Sequence, residues 1–330
     1  MIVTVTANPS LDRTIEVDRL RRGEVQRAIG DRVDPGGKGV NVSRALVANG
    51  HATRAVLISG GHAGTELLDL LAEAGVPIIE VPVSQGVRSN LTLAEADGTV
   101  TKLNEAGPVL RAEEIEELLD AAIAAPPNYA LQTPSSSIDR PTAWIAGCGS
   151  LPPGVGADFY ALLVARARET GAATVIDTSG AALESCLASQ PDLVKPNLEE
   201  LAEAAHTPIA TLGDAVAAAE ALREAGAGAV LASLGAEGAV LVDGAGVWHA
   251  RAPLAGPVAS TVGAGDAALA GFLAAGGHGP DALAAAVAWG TAAVALPGSV
   301  MPGPNDIDLS AVHVVRDPDP DHVLSSPAAS

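Results

Sequence analysis

Short apolar runs and helix-period segments alternate along almost the whole chain, and this alternation constrains the fold more than any other feature. The strand-like runs are Ile2–Ala7, Arg54–Ser59, Ile78–Val83, Ala143–Gly147, Ala173–Asp177, Leu193–Lys195 and Ala229–Ser233. The helix-period segments between them include Gly39–Asn49, Gly64–Ala74, Ala112–Ala124, Ala157–Thr170 and Asp214–Glu224. The pattern predicts an α/β fold with a mostly parallel central sheet flanked by helices on both faces.

One segment departs from this alternation. Asp97-Gly98 separates two strand-like runs, Asn90–Ala96 and Thr99–Asn104. An Asp-Gly pair in that position is a strong hairpin signal. Together with the strand-like runs Arg13–Val17 and Ala28–Val33, the hairpin is expected to form a small β-sheet apart from the main one.

These elements predict a single domain over residues 1–315, with a β lid inserted in it from about residues 12–35 and 87–105. Pro126–Pro141 is rich in proline and serine, which is typical of an exposed insertion. The tail, residues 316–330, contains Asp-Pro repeats followed by serine and alanine, and we expect it to be disordered.

Charge and composition exclude several classes of function. The 330 residues include 19 basic and 39 acidic ones, so the net charge is −20 and the field repels nucleic acid and anionic membranes. Aromatic residues make up 2%, which argues against a surface that stacks on bases or sugars. The longest apolar stretch, Ala282–Leu296, is interrupted by Gly290 and Thr291 and falls short of the about 20 residues that a bilayer requires. An anionic ligand would therefore need a few local cations.

The cysteines and the N-terminus predict a cytoplasmic protein. Two cysteines, Cys148 and Cys186, cannot form a disulfide framework, which is typical of a reducing compartment. The seven histidines have no metal-ligand spacing, so no structural metal site is indicated. No basic residue precedes the first apolar run, which favours a strand over a signal peptide.

The stretch from Ser260 to Asp266 is the most informative about chemistry. A strand-like lead-in is followed by Gly263-Ala264-Gly265 and by an apolar helix with Asp266 in its first turn. Glycines let the backbone approach a ligand, and the free N–H groups of a helix start attract an anion. An aspartate beside such an anion hole can take a proton from a hydroxyl as phosphate arrives. An ordinary helix N-terminus with a favourable acidic residue fits the same residues.

The same glycines also match the dinucleotide-binding pattern G-x-G-x-x-A. In dinucleotide-binding proteins an acidic residue follows about twenty positions later. No suitable acidic residue stands there, and the match lies late in the chain. Both facts argue against an NAD-dependent oxidoreductase.

A second glycine-rich stretch, Pro35-Gly36-Gly37-Lys38-Gly39-Val40-Asn41, opens the first long helix. Glycines, a lysine and an asparagine at a helix start suit an oxygen-rich ligand. The stretch is not a Walker A loop, because glycine follows the lysine where that motif has Ser or Thr. A glycine-rich turn with a surface lysine is the alternative interpretation.

The chain has only three lysines, Lys38, Lys102 and Lys195. Where arginine supplies almost all other positive charge, a remaining lysine favours a point-charge contact with phosphate. Lys195 ends a strand-like run, and Asn197 and Glu200 after it could order a magnesium–phosphate unit through water. Glu200 fits an ordinary first-turn acid equally well, and Lys102 falls in the predicted hairpin, where a solvated surface position is favoured.

Two motifs taken together resemble the paired motifs of the ribokinase-like (PfkB) carbohydrate kinases: Gly36-Gly37-Lys38-Gly39-x-Asn41 and Thr261-x-Gly263-Ala264-Gly265-Asp266. The resemblance extends from about residue 2 to residue 296. Further stretches are similar to the 1-phosphofructokinase branch: Ala7–Asp12, Arg22–Val25, Val87–Asn90, Gly149–Gly154, Asp177–Gly180, Ser233–Gly238 and Ser260–Val262. The resemblance implies a ribokinase-like fold with a β lid, transfer of phosphate to a sugar hydroxyl, and ATP and Mg²⁺ as cofactors.

The resemblance also implies roles for individual residues. Asp266 would be the catalytic base, and the backbone of Gly263, Ala264 and Gly265 the anion hole. The sugar phosphate would be bound by Asp12, Gly36, Gly37, Lys38, Asn41, Arg88, Asn90 and Ser150. The ATP site would be lined by Lys195, Asn197, Ser233, Gly235 and Gly238, with Glu200 ordering Mg²⁺ indirectly through the ATP phosphates. A homodimer formed through the lid is also implied.

Three features depart from the family pattern. Thr92 stands where relatives of this branch often have a basic residue, which weakens the case for a second cation on the sugar phosphate. Ala267 replaces a serine that commonly follows the catalytic aspartate, and the Pro126–Pro141 loop is longer than usual. The base and the anion hole are retained.

These observations favour phosphorylation of fructose 1-phosphate to fructose 1,6-bisphosphate by ATP. Fructose 6-phosphate or tagatose 6-phosphate as substrate remains the nearest alternative. A kinase of a free sugar fits less well, because Arg88 and the Asn-Pro-Ser-Leu run before Asp12 suit a phosphorylated substrate. A sugar-phosphate sensor without activity belongs to a different class, and the intact Asp266 argues against it.

Overall fold

The computed structural model describes residues 1–125, 143–254 and 256–325. The helices are α1 (Lys38–Ala48), α2 (Gly61–Glu73), α3 (Ala112–Ala124), α4 (Phe159–Thr170), α5 (Gly180–Leu187), α6 (Leu198–Ala204), α7 (Leu212–Glu224), α8 (Ala264–Ala274) and α9 (Gly279–Val294). The strands are β1 (Ile2–Thr6), β2 (Ser10–Val17), β3 (Gly30–Gly36), β4 (Thr53–Ser59), β5 (Ile78–Pro82), β6 (Arg88–Glu95), β7 (Val100–Leu103), β8 (Trp144–Cys148), β9 (Ala173–Asp177), β10 (Leu193–Val194), β11 (Ala229–Ser233), β12 (Ala239–Asp243), β13 (Gly246–Arg251) and β14 (His313–Arg316). The predicted elements are confirmed and differ only at their ends.

The main sheet has the strand order β14-β13-β12-β11-β10-β9-β8-β1-β4-β5. Among the described residues, seven neighbouring strands are parallel, in the order β11-β10-β9-β8-β1-β4-β5. The other three, β12, β13 and β14, continue the sheet beyond β11 with antiparallel pairings. Every residue of β1 and of β8 is buried, as expected where helices cover both faces of a parallel sheet. The three antiparallel edge strands were not identified from the sequence pattern.

Two hydrophobic clusters hold the helices against the two faces of the sheet. One cluster includes Leu67, Leu118 and Leu163, which belong to α2, α3 and α4. The other includes Leu46 and Phe272, from α1 and α8, and it continues into α9. Burial of this apolar surface on both faces supplies the main stabilisation of the fold.

The predicted small sheet is confirmed. Its strand order is β3-β2-β6-β7, and β2 pairs with β6 in parallel while the two outer pairings are antiparallel. The hairpin joins β6 to β7 through Asp97 and Gly98, and Gly98 has φ +91°, a conformation that glycine adopts without strain. We call this four-stranded sheet the lid. It carries Asp12, Arg88 and Asn90 on its strands β2 and β6.

Parallel strands bring their carboxyl ends to one edge of the main sheet. Strands β1, β8, β9, β10 and β11 all end there, so that Asn8, Ser150, Asp177, Lys195 and Ser233 lie at or just beyond the same edge. Ligands of open α/β sheets bind at this edge. The topology therefore gathers residues that are far apart in the sequence.

The expectation of a disordered tail over residues 316–330 is wrong for residues 316–325, since Arg316 is the last residue of β14. Leu324 is buried, and its N–H donates to Ala210 O at 2.9 Å, while Leu212 N–H donates to His322 O at 2.9 Å. Low-complexity composition predicted disorder, but backbone hydrogen bonds and one apolar anchor outweigh it. Residues 326–330 and the predicted insertion Pro126–Pro141 lie outside the described residues.

None of the helices among the described residues is long and apolar enough to cross a membrane.

Candidate active site

Asp266 lies in the first turn of α8, and its carboxylate is buried. Asn41 Nδ2 of α1 donates a hydrogen bond to Asp266 Oδ2 at 2.9 Å. Burial and, next, the negative charge of Asp177 raise the pKa of Asp266 to about 6, against the opposing effects of Asn41 and of Lys195. A carboxylate with a pKa near neutrality is suited to accept a proton from a hydroxyl and to release it afterwards.

The start of α8 lies directly beside Asp266. Gly263 caps the helix with φ +79°, in the left-handed region, and a Cβ there would come within 2.8 Å of the Met301 side chain. The first N–H groups of a helix have no intrahelical partner and carry its positive end. Gly265 lies close to Lys195, since a Cβ on Gly265 would stand 3.5 Å from Lys195 Nζ. The predicted anion hole, with Ala264 between the two glycines, thus adjoins an ammonium group.

Two lysines share one buried carboxylate. Lys38 Nζ lies 2.8 Å from Asp177 Oδ1, and Lys195 Nζ lies 3.0 Å from Asp177 Oδ2. The contact with Lys195 is an ion pair without hydrogen-bond alignment. Burial alone would raise the pKa of Asp177, but Lys195 and Lys38 outweigh it and hold that pKa below its ordinary value. One buried carboxylate therefore holds both ammonium groups, and that of Lys195 also adjoins the predicted anion hole.

Asn197 and Glu200 form the capping box of α6. Glu200 N–H donates to Asn197 Oδ1 at 2.8 Å, and Asn197 N–H donates to Glu200 Oε2 at 2.9 Å. The other oxygen of Glu200 accepts from Lys38 Nζ at 3.3 Å. The capping box confirms Glu200 as a structural first-turn acid, and the Lys38 contact places its side chain at the site, while its role toward Mg²⁺ stays a prediction.

The residues predicted to line the ATP site lie on adjacent loops. Asn197 forms an isolated parallel bridge with Ser233, which ends β11. A short 3₁₀ turn, Gly235–Glu237, follows, and it is closed by hydrogen bonds of Leu234 N–H to Gly238 O at 2.8 Å and Gly238 N–H to Gly235 O at 3.1 Å. Lys195, Asn197, Ser233, Gly235 and Gly238 thus belong to two neighbouring strand ends.

On the lid, Asp12 is held by neutral donors. Ser10 Oγ and Asn90 Nδ2 donate to Asp12 Oδ1 at 2.7 and 2.9 Å. The neighbouring Gly36 allows this arrangement, because a Cβ at Gly36 would collide with the Asp12 carboxylate. Gly37 follows with φ +117° and caps α1, so that Lys38 and Asn41 project from the first turn of that helix. The predicted sugar-binding residues of the lid and of α1 therefore adjoin one another.

Arg88 lies between the lid and the main sheet. Its Nη2 donates to Asn8 O at 3.0 Å, and its Nη1 donates to Glu105 O at 3.3 Å. Burial lowers the pKa of Arg88, against the effect of Asp12. Asn8 Nδ2 in turn donates to Ser150 Oγ at 3.3 Å. Arg88 Nε and Asn8 Oδ1 are buried without a hydrogen-bond partner among the described residues, so each keeps unused hydrogen-bonding capacity at the site.

A cavity of about 250 Å³ lies beside Arg88, Asn8 and Ser150. It is lined by residues from the lid, the strand ends and α1, among them Asn8, Lys38, Arg88, Ser150 and Glu200. A second cavity, of about 380 Å³, lies between the lid and α2 and is lined by Leu11, Arg13 and Glu66 and also by the predicted site residue Asn90, among others. We assign the smaller cavity to the site, because it is lined by Lys38, Arg88 and Ser150, three of the residues predicted to bind the sugar phosphate.

Sequence reasoning missed the roles of two residues. Asp177 stood in a stretch similar to the family, but nothing local marks it as the counter-ion of two lysines. Arg44 lies one turn after Asn41 on α1, and its Nη1 donates to Asn41 Oδ1 at 3.1 Å. This contact orients the Asn41 amide so that its Nδ2 faces Asp266. An arginine three residues after a predicted site asparagine is the only local signal.

The described part of the chain has no group of three or more His, Cys, Asp or Glu side chains arranged to hold a metal ion. Mg²⁺ in nucleotide enzymes is usually held by one or two carboxylates together with substrate phosphates. Glu200, whose side chain is only 16% exposed and faces Lys38, is a single carboxylate of the kind that holds Mg²⁺ together with substrate phosphates. These residues therefore fit a magnesium ion that arrives with phosphate.

The chain matches known proteins over nearly its whole length. Residues 5–305 match the family described as pfkB family carbohydrate kinase. The chain is 37% identical over 273 residues to the 1-phosphofructokinase of Rhodobacter capsulatus, which covers 82% of each chain. It is 38% identical over 318 residues to the 1-phosphofructokinase of Haloferax volcanii, which covers 95% of this chain and 97% of that one.

Solved structures of carbohydrate kinases are also similar to this chain in fold. Phosphofructokinase-2 from Escherichia coli in complex with fructose-6-phosphate superposes with a TM-score of 0.80 at 29% identity, over 92% of this chain and 96% of that one. Ribokinase from Arabidopsis thaliana, complexed with ribose and ATP, superposes with a TM-score of 0.69 at 20% identity over 92% and 96%, which supports the ribokinase-like fold. The fold and the family match agree with each other, and the chain belongs to the pfkB family of carbohydrate kinases.

Proposed function

We propose that this kinase transfers the γ-phosphoryl group of ATP to fructose 1-phosphate and forms fructose 1,6-bisphosphate. The observation that supports this proposal best is the buried Asp266 at the start of α8. Its carboxylate accepts a hydrogen bond from Asn41 of α1, and the two lysines that pair with Asp177 lie nearby. Two relatives that are 37% and 38% identical to this chain over the aligned residues are 1-phosphofructokinases. We also propose that residues 1–315 act as one catalytic unit.

The reaction needs a base, neutralisation of charge and an in-line geometry. Asp266 accepts the proton of the sugar hydroxyl, whose oxygen forms the new bond to the γ-phosphorus. The bond from the γ-phosphorus to the bridging oxygen breaks, and ADP leaves with that oxygen. The N–H groups of Gly263, Ala264 and Gly265 stabilise charge on the transferred group, since they stand at the positive end of α8.

The remaining cations act on the phosphates. Lys195 adjoins the start of α8 and neutralises the ATP phosphates, while Lys38 stands between the sugar and nucleotide residues. Mg²⁺ bound with ATP would supply further positive charge to the β- and γ-phosphates. Glu200 would hold that ion through water.

The lid supplies substrate recognition in this proposal. Asp12, oriented by Asn90, accepts hydrogen bonds from sugar hydroxyls, with Gly36 and Gly37 beside it. Arg88 contributes its unpaired Nε–H to the phosphate already on the sugar, and Ser150 and Asn41 complete the polar lining. Closure of the lid excludes water from the transfer step and limits hydrolysis of ATP.

The lid is also the proposed surface of a homodimer. Val100 and Leu103 on its outer strand β7 are 52% and 57% exposed, so apolar surface is available for a second copy of the chain. Light scattering of the wild type would give a mass of twice 32.7 kDa. The double variant Val100→Asp, Leu103→Asp should give a monomer, and a monomeric wild type would contradict the dimer.

A cytoplasmic location is part of the proposal. Cys148 and Cys186 are both buried and neither is in a disulfide, which suits a reducing compartment.

The decisive measurement is ADP release with Mg-ATP and a panel of fructose 1-phosphate, fructose 6-phosphate, tagatose 6-phosphate, fructose and ribose. We expect kcat/KM for fructose 1-phosphate to exceed the others at least a hundredfold, about 2.7 kcal/mol of transition-state discrimination. A preference for a 6-phosphate would retain the mechanism and change the substrate, in line with the fructose-6-phosphate complex of the Escherichia coli relative. No turnover with any sugar would favour a sugar-phosphate sensor.

A further inference from the structure

The segment 317–325, which we call the C-terminal strap, runs across the molecule from the edge strand β14 to the loop after β11. It is fixed along its length by backbone hydrogen bonds: Asp317 N–H to Val247 O at 3.0 Å, Gly213 N–H to Pro320 O at 2.9 Å, Leu212 N–H to His322 O at 2.9 Å and Leu324 N–H to Ala210 O at 2.9 Å. Leu324 is 7% exposed and belongs to the hydrophobic cluster that also holds α7. The strap is therefore part of the folded structure.

The strap ends on the side chain of Glu237. His322 Nε2 lies 3.1 Å from Glu237 Oε2, and the Ser325 hydroxyl donates to Glu237 Oε1. The Glu237 side chain is 13% exposed. Contacts with Ser325 and His322 lower the pKa of Glu237, so the strap holds a charged carboxylate. His249 of β13 approaches the same residue from the other side, with its Nε2 at 2.7 Å from Glu237 O.

Glu237 is the last residue of the 3₁₀ turn Gly235–Glu237. Ser233 precedes this turn, and Gly238 closes it through the hydrogen bonds with Leu234 and Gly235. Under the proposed function, on which this inference rests, Ser233, Gly235 and Gly238 line the ATP site. Glu237 therefore links the strap to three residues of that site through the backbone of one short turn.

We propose that the strap is a positioning element of the ATP site, with His322 holding the Gly235–Gly238 turn through Glu237. Glu237 and His322 are positioning residues and act through the backbone of the turn. A turn that is already ordered before ATP arrives loses less conformational entropy on binding, and the affinity for ATP rises accordingly. The predicted sugar site lies on the lid and on α1, and no hydrogen bond among the described residues joins it to the strap, so the affinity for sugar should be independent of the strap.

The variant His322→Ala tests this directly. We expect the KM for ATP and the dissociation constant of ATP to rise about three- to tenfold, the range that one hydrogen bond contributes. The kcat and the KM for fructose 1-phosphate should stay within about twofold of the wild type. His322→Gln, whose amide N–H can also donate to Glu237, should restore most of the ATP affinity. His313→Ala, an exposed histidine of β14, is the matched control and should change nothing.

A double-mutant cycle separates the proposed contact from general destabilisation. If His322 acts through Glu237, then Glu237→Ala combined with His322→Ala should weaken ATP binding no more than Glu237→Ala alone. Additive losses would overturn the proposal, as would an unchanged ATP dissociation constant or equal rises of the two KM values. A chain that ends at Arg316 should show the same selective loss, and if it fails to fold the point variants decide.

The measurements distinguish a failure of the proposed function from a failure of the strap proposal. The dissociation constant of ATP is measured by calorimetry without any sugar, so it does not depend on the substrate assignment. A wild type that binds ATP but phosphorylates no sugar would refute the proposed function, while the comparison of the variants still decides the role of the strap. A wild type that does not bind ATP would overturn both.

Discussion

Asp266 and Asp12 are both aspartates of the site, but their surroundings are opposite. Asp266 is buried in the main body of the protein, and burial together with Asp177 raises its pKa to about 6. Asp12 is half-buried on a lid strand, where the neutral donors Ser10 and Asn90 hold it. Under the proposed function this difference separates two tasks: the buried, charged centre carries out the proton chemistry, and the more open lid binds the sugar.

The same contrast applies to the cations. Lys195 is 4% exposed and is tied to Asp177, so its position does not depend on substrate. Arg88 contacts backbone oxygens of two different segments and keeps one unpaired N–H. Fixed charges in a buried site cost no reorganisation during reaction, and under the proposed closure of the lid Arg88 can adjust to the substrate.

The largest expected effect is on the proton chemistry. Asp266→Asn should lower kcat by about 10²- to 10⁴-fold, because the amide cannot accept the proton, while both KM values change little. The matched control is Asp281→Asn, which alters the first-turn aspartate of α9 and should leave kcat unchanged. Near-normal turnover of Asp266→Asn would remove Asp266 as the base.

The wild-type pH profile should report the same group. Because only the carboxylate accepts a proton, kcat/KM should fall as the pH decreases through about 6, where Asp266 of the free enzyme becomes protonated. A profile that is flat down to pH 4.5 would contradict this.

The second expected effect concerns stability. Asp177→Asn removes the shared counter-ion of two lysines and should lower the free energy of unfolding by about 3–5 kcal/mol, as breaking a buried ion pair does. The control is Asp120→Asn, since Asp120 pairs with Arg166 but is 77% exposed. Its cost should stay below about 1 kcal/mol. Denaturant titration measures both, and equal costs would show that burial does not distinguish the two pairs.

A smaller effect is expected from the lid. Arg88→Ala should raise the KM for the sugar phosphate about tenfold to a hundredfold, as the loss of charge-assisted hydrogen bonds does, with the KM for ATP unchanged. Arg13→Ala is the control, because Arg13 lies on the neighbouring strand β2 and lines the other cavity. Equal losses for both substrates would mean that Arg88 supports the whole site and has no selective role at the sugar phosphate.

The smallest effect is expected from a substitution at Lys102 on the lid. Strand register pairs Lys102 with Thr92, two residues after Asn90, so it shares the lid face of Asn90 and Asp12 although it is exposed. Lys102→Glu should raise the KM for the sugar phosphate about two- to fivefold at low salt, and the effect should vanish at 1 M salt. Thr101→Glu adds a charge on the opposite face and should have less effect. An unchanged KM would leave Lys102 as a solvated surface residue, the interpretation that the sequence favoured.

Much of the architecture could be predicted because it depends on local patterns. Apolar runs of strand length, helix-period segments and the Asp97-Gly98 turn identified the main sheet and the lid. The two glycine motifs identified the starts of α1 and α8, since a positive φ or a close approach requires glycine locally. The antiparallel edge and the ordered structure of residues 317–325 were missed, because their partners are distant in the chain and the low-complexity composition of the tail is typical of disorder.

The sequence by itself determined which residues can do chemistry: one aspartate at a glycine-rich helix start, three lysines in a chain of net charge −20, and an arginine on a predicted lid. Only the tertiary structure decided what those residues do. Lys38 and Asp177 are 139 positions apart, and Asn41 and Asp266 are 225 positions apart, yet both pairs are in hydrogen-bond contact. Proton affinity and ion pairing depend on burial and on charges a few ångströms away, and the packing of parallel strands and helices brings those charges from distant segments.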